Sequence, residues 1–425
     1  MVASVAVAAC GGGESDSREL PPAHAVQVTG CSPVTYEGEG RPDLLIGAST
    51  ILAGQYADHG IQVSQSLRMV FDEHDWHAGE YNVGIQICGE TTPAGDAPDP
   101  KLCRRTARAF ARNPSVVAVI GEHFSGCVAE GLPILNGADD GPVPQVSASA
   151  TYLGLTRAGA GVARGEPRRF YPSETRSFVR LVPPDDVSGA AAAMFAKEQG
   201  ARAVFALDDG LPYGFGVAEA FAEAARRIGL RVAGREEWNP KAHDYRRLAD
   251  RVRRSDAEAV FLGGYVSNNG PQLIKDLRAA LGQDAQLMGP DAFNNLEALV
   301  EGAGDAAEGF APLIAVLPND ELPESGRDFA ARFAERWGAR PCCFSVHAAQ
   351  AARMLLDAIA ASDGSRRQVL EHLFRTPVED SYVGDFEIDR YGDTTRTTLG
   401  VYRVEDGRLR FKTAITPSAA LFERR

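Results

Sequence analysis

The sequence predicts an α/β protein of two lobes, each wound on its own largely parallel sheet, and three observations carry that prediction. Val116–Ile120 is a continuous apolar, mostly β-branched run of the kind a parallel strand covered on both faces requires, and Gly121 ends it. Strand-like runs alternate with helix-period segments along the first part of the chain, the signature of right-handed βαβ units. The same alternation starts over near Ala203, and 425 residues exceed one typical domain.

In chain order, residues 43–48 read as the first strand, and a loop over 49–57 carries Gln55 and Tyr56. Val63, Leu67, Val70 and Phe71 recur at helical spacing and mark the first crossover helix. Residues 81–87 alternate as a strand does, Asp99-Pro100 opens a helix reaching Arg112, and the Val116 strand follows. Residues 127–135 form a helix, and 143–146 a second, shorter strand. Residues 157–177 break the rhythm with Gly, Arg and Pro and read as an insertion or surface loop. Residues 178–182 are a strand, after which Pro183-Pro184-Asp185-Asp186 steps into a helix with carboxylates at its positive end. Val187, Ala191, Met194 and Phe195 make its buried face, and Gly200 stops it.

The second series runs as strand 203–207, helix to 228, strand 231–236, helix to 254, strand 259–262, helix 271–281 and strand 286–288. After an apolar run at 310–317, Phe329, Phe333 and Trp337 line one face of a helix that Gly338 stops, and 345–361 and 366–374 continue as helices. Residues 384–388, 397–404 and 409–413 read as strands joined by turns at Asp389-Arg390-Tyr391-Gly392 and Asp406-Gly407.

The stretch from Val116 to Thr151 concentrates the functional signal. Ser125 and Gly126 open the helix that follows the central strand, so backbone N–H groups and a hydroxyl gather at the strand's carboxyl end, where an anion is stabilised. After the second strand, Ser147-Ala148-Ser149-Ala150-Thr151 brings further hydroxyls and amides to the same edge. Open α/β sheets bind ligands in that crevice.

Composition narrows the function. A net charge of −13 with no long basic run argues against a nucleic-acid or anionic-membrane partner. Nothing after residue 10 approaches the roughly 18 consecutive apolar residues of a spanning helix. Val7-Ala8-Ala9-Cys10-Gly11, at the end of a short apolar run, resembles a bacterial lipoprotein signal with Cys10 as its acylated residue, and 11–25 fit a flexible tether. That makes the expected location extracytoplasmic and membrane-anchored. Six cysteines remain, and an oxidising location favours disulfides. Cys88, Cys103 and Cys127 fall near one sheet edge, so a bridge among them is expected, Cys103 to Cys127 foremost; Cys31 is a further candidate. No C-x-x-C pair is present, and His74 and His77 near an acidic helix end read as solvated, so neither metal nor cofactor is expected.

These residues together resemble the type 1 periplasmic solute-binding proteins, in particular the branched-chain amino acid (leucine/isoleucine/valine-binding) group that serves ABC importers. The resemblance covers residues 41 to 413 and rests on AVIGEHFSGC at 118–127, VSASAT at 146–151, RLVPPDDVSGAAAA at 180–193, DDGLPYGFGV at 208–217, AVFLGGY at 259–265, LMGPDAF at 287–293 and GDAAEGF at 304–310. It implies two Rossmann-like α/β lobes joined by hinge strands, a Venus-flytrap that closes on its ligand. It places 1–40 as signal and tether, 41–177 plus 318–378 in lobe one, 178–317 plus 379–413 in lobe two, and 414–425 as a tail.

The resemblance also implies a monomer that captures a small amino acid or a related compound and passes it to a membrane permease. Ser125 matches the serine holding the ligand carboxylate, with Ser149 and Thr151 as a second cluster. Asp291 matches the acidic partner of the ligand ammonium, Tyr213 and Tyr265 aromatic residues of the opposite lobe, and Tyr56 an aromatic position of lobe one. Asp stands where Glu is usual, and the 157–177 insertion and the Cys342-Cys343 pair are further departures. The alternatives are a ligand-sensing receptor lobe, or a binder of an amide, urea or aromatic acid; no spanning helix or signalling domain is read before Arg425, which favours a free or lipid-tethered binder over the former. An enzyme is not expected. A hydrolase elbow G-x-S-x-G would need Gly where His123 and Cys127 stand, and Gly159-Ala160-Gly161 follows no strand.

Overall fold

The computed structural model describes residues 22–54, 56–92 and 98–422; Cys10 and Gln55 lie outside them. The first sheet is made by β1 (Leu44–Thr50), β2 (His77–Ala78), β3 (Tyr81–Gly89), β4 (Val116–Ile120), β5 (Gln145–Ser147) and β6 (Phe178–Arg180), in the order β2-β3-β1-β4-β5-β6. All its pairs are parallel except β2–β3. Helices α1 (Ala57–Glu73), α2 (Pro100–Arg112) and α3 (Ser125–Asn136) make the crossovers. The apolar stripe expected of α1 is buried: Val63, Leu67, Val70 and Phe71 are each nearly inaccessible. Asp99 caps α2 by accepting the N–H groups of Lys101 (2.8 Å) and Leu102 (3.2 Å).

The second sheet follows α4 (Asp185–Glu198) and is assembled from β7 (Ala203–Asp208), α5 (Pro212–Arg227), β8 (Arg231–Glu237), α6 (Arg246–Arg254), β9 (Ala259–Gly263), α7 (Gly270–Leu281), β10 (Gln286–Gly289), α8 (Leu296–Ala303) and β11 (Ala311–Ile314). The chain then returns to the first lobe as α9 (Glu324–Trp337), α10 (Ser345–Ala360) and α11 (Arg366–Arg375), and ends on the hairpin β12 (Leu399–Glu405) and β13 (Arg408–Ile415) of the second sheet, ordered β13-β12-β11-β10-β9-β7-β8. Each sheet carries apolar clusters on both faces, which is why its central strands read as unbroken apolar runs.

Three expectations change. Residues 178–180 are not a strand of the second lobe: Phe178, Val179 and Arg180 pair with Gln145, Val146 and Ser147 at the edge of the first sheet. The sequence run that follows, Pro183-Pro184, is where the chain actually leaves. Residues 384–388 form no named strand, only the isolated bridges Val378↔Phe386 and Ile388↔Thr394, and Tyr382, Val383, Phe386 and Ile388 join the first lobe's core. This segment, expected in lobe two, packs with lobe one, and the second sheet resumes at Leu399. Residues 157–177 are not a bare surface loop either. Phe170 and Tyr171 bury against Val128, Leu132 and Phe178, and Tyr152 donates to the buried Glu166 (2.6 Å). A single pair of apolar residues anchors the segment, too few to register as a period.

Behind it, fully buried Arg180 donates to Asp393 (2.7 Å) and to the carbonyls of Ala150 and Tyr152 (both 3.1 Å), so the edge strand, the Ser149–Thr151 turn and the 389–393 turn are locked together.

Candidate ligand-binding site

The two sheets present their carboxyl ends to one another, and a cavity of about 60 Å³ lies between them. From the first lobe it is lined by Tyr56, His123, Phe124, Ser125, Ser149 and Thr151, and from the second by Tyr213, Tyr265 and Asp291. All seven residues singled out from the sequence thus meet in one place. The lobes touch around it: the Phe124 and Tyr265 rings stand 6.0 Å apart, edge to face.

On the first-lobe side the geometry starts from Gly121, whose φ of +107 and close approach to the Ser49 carbonyl exclude any side chain. This turn brings 122–125 over the sheet edge. Buried Glu90 then accepts the N–H groups of His123 (2.5 Å) and Phe124 (3.1 Å) and fixes the loop. Burial pushes the Glu90 carboxyl up to about 7, against those two hydrogen bonds. Phe124, not Ser125, is the N-cap of α3, and Ser125 is its first residue. A disulfide between Cys103 and Cys127 ties the first turn of α3 to α2, and a second joins Cys31 to Cys88.

The hydroxyls divide their work. Ser125 Oγ accepts the N–H groups of Thr151 and Tyr152 (both 3.1 Å), which leaves its own hydrogen to donate. The Ser125 and Gly126 N–H groups, as the first two of a helix, have no intrahelical partner. Ser149 Oγ donates instead to the His123 carbonyl (2.9 Å), and the Thr151 side chain is hydrogen-bonded to Asp185. Donors for an anion therefore converge at Ser125 and the helix N-terminus, with Ser149 and Thr151 bracing them.

On the second-lobe side, Asp209 accepts from the N–H of Tyr265 (3.1 Å), from Asn268 Nδ2 (2.7 Å) and from the N–H of Leu211 (3.1 Å), so one carboxylate holds both tyrosine-bearing loops. The Tyr213 and Tyr265 rings lie 5.0 Å apart, and Tyr213 donates its hydroxyl to Asp291. Burial pushes Asp291 up to about 6, opposed by that hydrogen bond, and burial also drives both tyrosines well up. Among the described residues no Lys or Arg lines the cavity beside Asp291. The site is thus acidic on one wall and rich in neutral donors on the other.

Sequence reading missed His59, Phe344, Asn294 and Ile51, which also line the cavity, and gave His123 only a negative role. His123 stands two residues before Ser125 and was readable on that ground; Phe344 and His59 arrive only through the packing of distant segments. Burial pushes His123 down to about 3, so its imidazole is neutral. Asp185, read as a helix-start carboxylate, proves nearly inaccessible, with one oxygen unpartnered and burial pushing it up to about 8. A larger cavity of about 570 Å³ lies elsewhere, between residues 157–160, the Asp389–Tyr391 turn and Phe422; its Arg157 is already paired with Asp186 and Asp393.

Comparison with known proteins agrees with this architecture. A family model described as periplasmic binding protein matches residues 44–408. A leucine-, isoleucine-, valine-, threonine- and alanine-binding protein of Pseudomonas aeruginosa is 28% identical over 224 residues, 52% of this chain and 53% of that protein, so the match spans about half of the relative. An amino acid binding protein of the same organism is 23% identical over 366 residues, 86% of this chain and 91% of that one. The crystal structure of a leucine-binding protein from Thermotoga maritima superposes with a TM-score of 0.73 at 22% identity, covering 88% of this chain and 99% of that one.

Proposed function

Since this chain belongs to the periplasmic binding protein family, we propose that it captures a small amino acid between its lobes and delivers it to an ABC importer in the membrane. One observation carries the ligand class: a cavity joins a helix N-terminus and the Ser125 hydroxyl to a buried Asp291, with no Lys or Arg among the described residues of its wall. A carboxylate is received on the first lobe and an ammonium on the second, so a zwitterion bridges the lobes and holds them closed. The relatives named as amino acid binders support this reading.

The chain acts without turnover, as an exported monomer. Among the described residues no helix is long and apolar enough to cross a membrane. The sequence around Cys10 supplies the anchor: a diacylated Cys10 holds the protein at the membrane, since one chain alone gives only marginal binding. Cys10→Ser in the native host releases the protein to the soluble fraction; unchanged membrane retention contradicts the anchor. Native mass spectrometry of protein purified without denaturation tests the ligand class, an amino acid mass in the complex supporting it and an aromatic acid or amide opposing it.

A further inference from the structure

Beside the cleft, three side chains with metal-binding atoms converge where the capture of an amino acid gives them no task. We propose that His59, Cys342 and Cys343 form a site for a thiophilic divalent ion of the Zn²⁺ class at the wall of the interlobe cavity. Their ligand atoms all lie within 4.8 Å of one another, and among the described residues no other trio of His, Cys, Asp or Glu converges in this way. The Cys343 thiol donates to Cys342 Sγ at 2.9 Å, and the two sulfurs are not joined in a disulfide.

The backbone is shaped to bring them together. Neighbouring side chains of an extended chain point to opposite faces, but Cys343 adopts a left-handed conformation, φ +55, that few non-glycine residues take. Such a conformation is strained and persists only where its surroundings impose it. Here they do: the Cys342 N–H donates to Gln62 Oε1 (2.7 Å), and Asn319 Nδ2 donates to the Pro341 carbonyl (3.0 Å). Gln62 stands three residues after His59 on α1, hence on the same face. One helix therefore supplies both an imidazole ligand and the brace for the sulfur-bearing turn, the arrangement by which outer groups orient metal ligands.

The donor set selects the ion. One nitrogen and two sulfurs suit Zn²⁺ and its softer congeners and are poor partners for Mg²⁺ or Ca²⁺. With Zn–S near 2.3 Å, tetrahedral geometry sets the sulfurs about 3.8 Å apart, a separation that small χ1 rotations reach from the present one. Binding displaces the two thiol protons to solvent and leaves a dithiolate–imidazole complex with no change of oxidation state. Three protein ligands leave a fourth position for water or another donor, and His59 also lines the interlobe cavity.

The test uses the full chain purified under mild reduction. Calorimetry should give one Zn²⁺ per chain, and Cd²⁺ should raise an ultraviolet thiolate-to-metal charge-transfer band that Zn²⁺ competes away. The Cys342→Ser/Cys343→Ser double variant should keep its melting temperature, lose the band attributable to these thiols and bind at least a hundredfold more weakly. Gln62→Ala should keep the stoichiometry and weaken binding about tenfold to a hundredfold. A band and affinity equal in the parent and the folded double variant, or a Cys342–Cys343 disulfide in the protein so prepared, overturns the site.

Discussion

The Tyr213 hydroxyl donates to the Asp291 carboxylate, so the one acidic group among the described residues lining the cavity is held by a residue of its own lobe. Tyr213 lies in the first turn of α5 and Asp291 follows β10, 78 residues apart in sequence. The Ala292 N–H also meets the carboxylate, so Tyr213 is one of several donors that fix it. Tyr213→Phe removes this donor without removing the charge. It should weaken ligand binding by about 1 kcal/mol, roughly fivefold, measured by calorimetry, with no change in ligand preference.

Ser125 and Ser149 should differ although both are small hydroxyls on one rim. Ser125→Ala removes the donor and orphans the N–H groups of Thr151 and Tyr152. The expected loss is about 2 kcal/mol, roughly thirtyfold in affinity. Ser149 spends its hydrogen on the His123 carbonyl, so Ser149→Ala should cost under about 1 kcal/mol. Equal losses for the two variants contradict this division.

Stability should fall with rising pH through Glu90. Its carboxyl is raised from 4.5 to about 7 by burial, so between those values the folded chain holds a proton that the unfolded chain has released. The Glu90 contribution to unfolding free energy therefore declines as pH rises through that window and levels off above about 7, a loss on the order of 3 kcal/mol. Buried His123, pushed down to about 3, gives the opposite slope in acid, but it is present in both proteins of the comparison. Glu90→Gln, followed by urea unfolding across that range, should show a flatter decline than the parent.

The fold was largely legible because buried parallel strands and amphipathic helices imprint their periods on the chain, as β4 and α1 show. The edge strand β6 went to the wrong lobe because a three-residue strand before a Pro-Pro step carries no mark of which sheet it joins. Residues 384–388 alternate like a strand yet form only isolated bridges, since alternation reports a half-buried face and not a hydrogen-bonded partner. At the site, residues at strand ends could be found from local sequence, whereas His59 and Phe344 depended on α1 packing against the turn before α10. The division of labour among Ser125, Ser149 and Thr151 was beyond sequence, because it depends on which acceptor each hydroxyl meets.

The central claim is that Asp291 pairs with a ligand ammonium across from the Ser125 helix start. Calorimetry over a panel of amino acids, with Asp291→Asn beside the parent, measures it most directly. The variant keeps the size and loses the charge, so binding of the preferred amino acid should weaken by about 2–5 kcal/mol, roughly thirtyfold to several thousandfold, while an amine-free analogue of the same shape is spared. No amino acid bound by the parent, or equal binding by parent and variant, contradicts the account.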